Sequence, residues 1–349
     1  MSEWLPLTVT SVVAETEVDK SFVFDLPHAL RDRFRWRAGQ HVVVRRTVDG
    51  EAHRRCYSLS SSPGDAPRIT VRRLRGGQVS GDLHAQIVAG STLEVSAPCG
   101  AFCLDASATA YRTHYAFAAG SGITPIRSML GAVLADEPYS VVHLLYGNRS
   151  LDQILFRDEL DALVERDPRR LTITHTLTSP PWLRSFDGWR GRIDAEVVRR
   201  FVDGHTPIAQ DAHYWICGPG TMNATVRQAL MTIDVPAERI HAEAFGSPTP
   251  AEIGRPVGVG ARLDVERGGQ RSSVEVDAGE TLLDAMRRRG VRPPHACMAG
   301  VCSTCRARLI AGAVEHRARM ALDDRELSEG WVLTCQAVPT SDRVALRYD

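Results

Sequence analysis

The chain has 349 residues, 43% hydrophobic and 24% charged, with 42 Lys and Arg balancing 42 Asp and Glu. That length accommodates two or three domains, and zero net charge gives no electrostatic footing for nucleic acid or an anionic membrane surface. No apolar run approaches the roughly 18 residues of a membrane span, and the N-terminal MSEWLPLTVTSVV lacks the basic-then-apolar layout of a secretory signal.

Residues 1–108 read as short β-runs bounded by Gly, Pro, Asp or Ser: LTVTSVVAET, SFVFDLP, HVVVRRTVDG, RRCYSLSSSPGD, RITVRRL and STLEVSAPCG. Such spacing predicts a small antiparallel β-barrel, with one helix, GDLHAQIVAG, between the fifth and sixth runs. In the fourth run Arg55, Tyr57 and Ser58 set a flat aromatic beside a hydroxyl and a cation. That trio suits one face of a flavin, its ring heteroatoms and a phosphate; a surface strand with alternating polar side chains looks the same. Further on, Gly77, Val79 and Ser80 lead into the helix, where glycine permits close backbone approach and the helix N-terminus offers N–H groups to a pyrophosphate.

Residues 109–247 alternate apolar strands with helical stretches, which predicts a parallel sheet covered on both faces. After the strand YAFAA come Gly120, Gly122, Thr124 and Pro125. Thr124 is expected as the N-cap and Pro125 at the first helical position, with the glycines making room for a dinucleotide pyrophosphate. The segment is not the Rossmann fingerprint, since proline holds the third glycine position. Arg149 and Ser150 close the next strand, suited to a 2′-phosphate, with no acidic residue there for a bare ribose; a solvated arginine is the plain alternative. Cys217, Gly218, Pro219 and Met222 end a later strand and start a helix, and Glu243 and Phe245 end the last one.

Residues 248–261 are rich in Pro and Gly without apolar periodicity and are expected to be a linker. Residues 262–349 read as a mixed α/β unit, two strands, a helix, a loop and closing strands. That loop supplies Cys297, Cys302 and Cys305, and Cys335 follows, in the spacing C-x4-C-x2-C-x29-C. This is the plant-type arrangement for a [2Fe–2S] cluster; a zinc site usually pairs two C-x2-C knuckles, and here the fourth cysteine stands alone. Cys56, Cys99, Cys103 and Cys217 are expected to be reduced thiols of a cytoplasmic protein.

In combination, Arg55/Tyr57/Ser58 (RxYS), Gly77–Ser80 (GxxS), Gly120–Pro125 (GxGITP), Cys217–Met222 (CGPxxM) and Glu243–Phe245 (ExF) resemble the ferredoxin–NADP reductase-like family. With the cluster cysteines at the C-terminal end, the chain is similar to oxygenase reductase components, of the phenylacetyl-CoA epoxidase and ketosteroid hydroxylase type. The resemblance implies a multidomain protein: an antiparallel β-barrel flavin domain, an α/β parallel-sheet NAD(P) domain and an α+β β-grasp ferredoxin domain. It implies electrons passing from NADPH or NADH through a flavin and the [2Fe–2S] cluster to a terminal oxygenase. Tyr57 is then expected to stack on the flavin, Ser58 to bond near N5, and Arg55 and Ser80 to hold phosphate. Cys217 and Gly218 border the hydride-transfer position, with Phe245 beside the flavin face that nicotinamide must reach. Ala296 and Met298 are expected at the edge where electrons leave. Phthalate-type reductases share the domain order and bind FMN, whereas Gly77–Ser80 favours FAD here. The remaining readings are a stand-alone diaphorase or quinone reductase and a non-catalytic iron–sulfur sensor.

Overall fold

The computed structural model describes residues 4–180, 186–245, 256–295, 298, 300, 303–319, 322 and 324–348. They form two compact units, one ending at Phe245 and the other carrying the C-terminal part.

The first unit begins with β1 (Leu5–Ala14), whose Leu5, Leu7 and Val9 point inward between exposed neighbours, the period-2 pattern of a half-buried strand. With β2 (Asp19–Phe24), β3 (His41–Val48), β4 (Glu51–Ser58), β5 (Arg68–Arg72) and β6 (Thr92–Val95) it forms an antiparallel sheet in the order β4-β3-β6-β1-β2-β5. The two outer strands meet at a Leu59–Ile69 bridge, where the Ser60 N–H donates to the Arg68 carbonyl at 2.8 Å, closing the expected barrel. Phe22, Phe24, Val42, Val44 and Val71 fill it. Helix α1 (Gln78–Gln86) packs Val79 and Leu83 into the barrel core; it starts three residues before the expected stretch, at Gln78, with Gly77 as its N-cap.

The remainder of this unit is a parallel sheet. Its elements are β7 (Thr113–Ala119), α2 (Ile123–Asp136), β8 (Val141–Asn148), α3 (Arg157–Arg166), β9 (Leu171–Leu177), β10 (Trp189–Arg190), α4 (Ala195–Asp203), β11 (Ala212–Gly218), α5 (Gly220–Thr232) and β12 (Ile240–Ala244). Strand order is β10-β9-β8-β7-β11-β12. β10 is two residues long, too short to give a sequence period. Helices α2 and α3 cover one face, α4 and α5 the other. Ala38, Phe102 and Leu104 from the barrel side join the α2 face, so barrel and sheet share a core. Glu159 of α3 ties them further, accepting from Arg68 (2.5 and 3.0 Å) and Arg127 (3.1 Å). Because the chain runs outward in opposite directions from β7, to β8 on one side and β11 on the other, a crevice is expected at their carboxyl ends.

The expected N-cap at Thr124 and the expected first helical position at Pro125 are both corrected, since Gly122 is the N-cap and Pro125 is the third helical residue. A 3-10 turn over Gly120–Gly122 leads into α2, and Thr124 lies inside the helix with its hydroxyl donating to the Ser121 carbonyl at 2.9 Å. A continuous turn already satisfies what a cap would provide.

The second unit contains β13 (Ala261–Arg267), β14 (Gln270–Val276), α6 (Leu282–Arg288), β15 (Arg306–Ala311), β16 (Val314–His316), α7 (Asp324–Ser328), β17 (Trp331–Leu333), β18 (Ala337–Pro339) and β19 (Arg343–Tyr348). The five-stranded mixed sheet β14-β13-β19-β15-β17 is gripped by α6, whose Leu282, Ala285 and Met286 enter its core. This is the expected β-grasp. Of the expected linker, residues 248–255 lie outside the described residues, and 256–260 carry no regular structure.

At the amino end of the parallel sheet a carboxylate is fully buried. Glu137 accepts from His114 at 3.0 Å and from Arg112 at 3.2 Å. Burial pushes its carboxyl up, but the hydrogen bonds from His114 and Ser140 and the His114 and Arg112 charges outweigh that and hold it below the ordinary value. Glu137→Gln is expected to cost about 2–3 kcal/mol, read as a lower urea midpoint. The carboxylate's contribution is whole above the ordinary carboxylate range and is lost as pH falls through the depressed folded value. The midpoint difference between wild type and variant therefore narrows in acid.

Candidate active site

On the barrel side, β3 and β4 pair so that His41 lies opposite Ser58 and Val42 opposite Tyr57. Tyr57 is half-buried against the barrel core, and burial pushes its phenol pKa up, with Arg55 opposing, so the hydroxyl stays protonated. The Ser58 hydroxyl is buried without a partner among the described residues. Arg55 is exposed and donates to the Arg54 carbonyl at 2.8 Å. Gly76 has φ +71°, which turns the chain into Gly77, where a Cβ would meet the Ser80 Oγ at 2.5 Å. The Ser80 hydroxyl is engaged in that turn, accepting from the Leu74 N–H at 3.1 Å, and Val79 is buried in the barrel. What α1 offers an anion is its first-turn N–H groups, which have no intrahelical acceptors.

On the sheet side, Gly120 (φ +53°) and Gly122 form the turn from β7 to α2. A Cβ on Gly122 would stand 2.1 Å from the Cys217 carbonyl oxygen, and one on Gly120 would stand 3.0 Å from an Arg72 guanidinium nitrogen. Arg72 comes from the barrel, where the buried carboxylate of Asp19 fixes it through two 2.9 Å bonds. Thr124 and Pro125 are buried in the turn that follows. The next crossing joins Gly218 and Pro219 to α5, with the Met222 side chain over Gly218, where a Cβ would meet its Cε at 2.6 Å. Cys217 is fully buried; burial and the nearby Glu243 charge push its thiol pKa well up, so it remains neutral. β11 and β12 pair Cys217 with Glu243, the Asn223 amide donates to the Glu243 carbonyl at 2.8 Å, and Phe245 packs against the core of the α2 face. Arg149 is exposed and Ser150 half-buried at the end of β8.

Ser58 Oγ, Asn148 Nδ2, Asn223 Oδ1 and Glu243 Oε2 are all buried without partners among the described residues. Buried polar atoms are almost always paired; Ser58 and Glu243 belong to motifs that the resemblance assigns to flavin and nicotinamide, and Asn148 and Asn223 adjoin such segments. The residues present therefore fit a bound flavin and nucleotide. Arg72, Asn148 and Asn223 carry no sequence motif of their own; only strand register and turn geometry bring them to the glycine loops.

In the second unit Cys305 and Cys335 are 3% and 5% exposed and pack with Leu283, Leu322, Leu333 and Met298. Thr334 fastens them, its hydroxyl donating to the Cys305 carbonyl at 3.0 Å. Met298, Gly300 and Ser303 have φ of +57°, +73° and +55°, which curls the chain tightly, and the Gln336 amide holds the Met298 carbonyl at 2.8 Å. Cys297, Cys302 and Ala296 lie outside the described residues. Two buried thiols packed together, Cys305 just after the tight curl and Cys335 after β17, fit a thiolate-held cluster.

Barrel, parallel sheet and β-grasp unit with these sites define a flavin- and nucleotide-binding iron–sulfur oxidoreductase. Residues 6–103 match the oxidoreductase FAD-binding domain, 117–228 the oxidoreductase NAD-binding domain, and 265–340 the 2Fe-2S iron-sulfur cluster binding domain. The chain is 34% identical to a 1,2-phenylacetyl-CoA epoxidase component of Escherichia coli (strain K12), covering 100% of this chain and 99% of that protein. It is 35% identical to the ferredoxin reductase component of 3-ketosteroid-9-alpha-monooxygenase from Rhodococcus rhodochrous, over 98% and 96%. Phthalate dioxygenase reductase superposes with a TM-score of 0.60 at 25% identity, covering 99% of this chain and 98% of that one. The chain belongs to the family of NAD(P)H-dependent flavin and [2Fe–2S] reductase components of oxygenases.

The Gly122 contact gives a test. Gly122→Ala sets a methyl against backbone that cannot retreat, so a loss of about 1–3 kcal/mol is expected. Retention on a nicotinamide-nucleotide affinity resin should disappear, while flavin content per chain stays near wild type.

Proposed function

We propose that this reductase takes its electrons preferentially from NADPH and delivers them, in the cytoplasm, to a partner oxygenase. The observation that supports this reading is the set Ser58 Oγ, Asn148 Nδ2, Asn223 Oδ1 and Glu243 Oε2, buried without partners among the described residues. We assign residues 1–108 to the flavin, 109–247 to the nicotinamide nucleotide, 248–261 to a linker and 262–349 to the cluster. When bound, nicotinamide supplies a hydride, the flavin accepts it and releases the two electrons singly, and the cluster passes each one on.

The chain's own residues position and insulate these groups. Tyr57 would stack against a bound flavin, the Ser58 hydroxyl would hydrogen-bond its ring, and Phe245 would lie near the face that nicotinamide must reach. Cys217, neutral through burial, packs beside the hydride path without adding charge, and Gly218 leaves space for the incoming ring. Gly77, Ser80 and the first turn of α1 shape the phosphate seat, and Arg55 neutralises it. Gly120, Gly122, Thr124 and Pro125 form the nucleotide seat, with Arg72 supplying positive charge over Gly120. Pro219 and Met222 hold the second crossing open. Arg149 and Ser150 take the 2′-phosphate by charge-assisted hydrogen bonds. Cys297, Cys302, Cys305 and Cys335 hold the cluster, and electrons leave past Ala296 and Met298. An electrically balanced cluster unit, including Arg287, Arg288 and Arg289, accords with tethering, which raises effective concentration and makes strong steering unnecessary.

Two variants test separate parts. Cys335→Ser should abolish reduction of the partner oxygenase and leave NADPH-driven ferricyanide reduction by the flavin within about twofold of wild type. Partner turnover that survives would remove the cluster from the path. Arg149→Ala should lower kcat/KM for NADPH about tenfold while that for NADH barely moves. An equal loss for both nucleotides would refute the assigned preference.

A further inference from the structure

In the cluster unit, α6 covers one face of the five-stranded sheet. Ala307 of β15, Val332 of β17, Leu346 of β19 and Val265 of β13 are buried in the core that α6 enters. Their neighbours along each strand therefore face away from that helix. Register sets Trp331, Arg308, Arg347 and Glu266 in one row on this outer face, across β17, β15, β19 and β13. Arg306 stands two residues before Arg308 on the same strand, directly after Cys305.

Trp331 joins the row to the cluster pocket. It is half-buried and packs, as Met298 does, against the group of Cys305, Cys335 and Leu333. Two guanidinium groups also lie over its ring, Arg306 at 3.8 Å and Arg308 at 4.7 Å from the ring centre. Charge along the row is uneven. At the β13 end Glu266 pairs with Arg271 at 3.2 Å, and beside Trp331 Arg306 pairs with Glu326 of α7 at 2.7 Å. Arg308 donates instead to the Glu329 carbonyl, and neither it nor exposed Arg347 makes an ion pair among the described residues. The row thus leaves two uncompensated cations beside an indole that touches the cluster pocket. Tryptophan and arginine are the side chains that protein interfaces favour at their energetic centres.

We propose that Trp331, Arg308 and Arg347 form the docking face for a one-electron acceptor protein with an acidic surface. The inference rests on the reading that the cluster passes electrons out of the chain. On contact one electron leaves the reduced cluster, which is oxidised; the acceptor is reduced by one, and no proton or bond changes place. The chain's own flavin and nucleotide unit does not fit as the occupant. Residues 4–245 carry equal numbers of acidic and basic side chains, and the tether already supplies that encounter. A separate acceptor has no tether, so opposite charge on its surface speeds encounter and fixes orientation.

Two haem proteins serve as probes for the oxidised full chain: cytochrome b5, acidic around its haem edge, and cytochrome c, basic there. Wild type should bind cytochrome b5 the more tightly, with a dissociation constant that rises about tenfold between roughly 20 and 200 mM salt. Arg308→Glu with Arg347→Glu should weaken cytochrome b5 binding about tenfold and flatten its salt dependence. NADPH-driven cytochrome b5 reduction should fall in step, with ferricyanide reduction by the flavin within about twofold of wild type. Trp331→Phe, which keeps an aromatic ring, should weaken the same binding about threefold. Visible absorbance reports whether each variant holds its cluster; if the double variant does not, exposed Arg347→Glu alone decides. A charge-reversed chain that binds both cytochromes as wild type does, or a wild type that favours cytochrome c, overturns the face. So does a double variant that keeps cytochrome b5 affinity but slows anaerobic cluster reduction by NADPH, which would assign the face to the chain's own flavin unit. A wild-type cluster that NADPH does not reduce strikes the underlying reading instead, and cytochrome binding still decides the face.

Discussion

The nucleotide half depends on one backbone contact, the approach of Gly122 to the Cys217 carbonyl, which leaves no room for a side chain. It brings the β7–α2 turn and the β11–α5 turn together at the point where strand order reverses. With the two turns joined, two helix N-termini and two sheet ends serve one crevice. Cys217, Gly218 and Glu243 then share one edge, and their chemistry acts as a unit.

The barrel is joined to that crevice by charge as well as by apolar packing. Burial alone would push the Glu159 carboxyl up, but Arg68 and Arg127 outweigh it and hold it below the ordinary value, so a single carboxylate links β5, α2 and α3. Asp19 likewise fixes Arg72, which carries barrel charge to the Gly120 loop. Such pairs contribute modestly to net stability, because desolvation offsets much of their attraction. Their larger effect is geometric: they fix the register in which a flavin-binding surface faces a nucleotide-binding one.

The cluster unit solves a different problem. Cysteines far apart in sequence must present sulfur to one small inorganic core, and the chain does this with left-handed residues in the loop and a threonine clasp next to Cys335. The arginines of α6 are mostly engaged locally: Arg288 with Glu280 and Asp277, Arg287 with Asp284 and the Met298 sulfur. The charged surface of that helix is thus internally compensated, in keeping with a carrier that travels with its donor.

Much of this was legible from residues in order. Short β-runs bounded by turn residues announced the barrel strands, apolar strands alternating with helical stretches announced the parallel sheet, and the cysteine spacing announced the cluster, because each is a local constraint written over consecutive positions. Thr124 misled, since a cap and an interior helical threonine differ only in the turn that precedes them. Arg72, Asn148, Asn223 and the Glu137 pocket were invisible, for each acquires its role from a partner dozens of residues away or from a bond left unmade. The sequence by itself determined the classes of cofactor, flavin, nicotinamide nucleotide and [2Fe–2S] cluster, because motif spacing is short-range chemistry. Only the tertiary structure decided which side chains meet around them, because strand register and the packing of barrel on sheet are set by long-range contacts that no local pattern encodes.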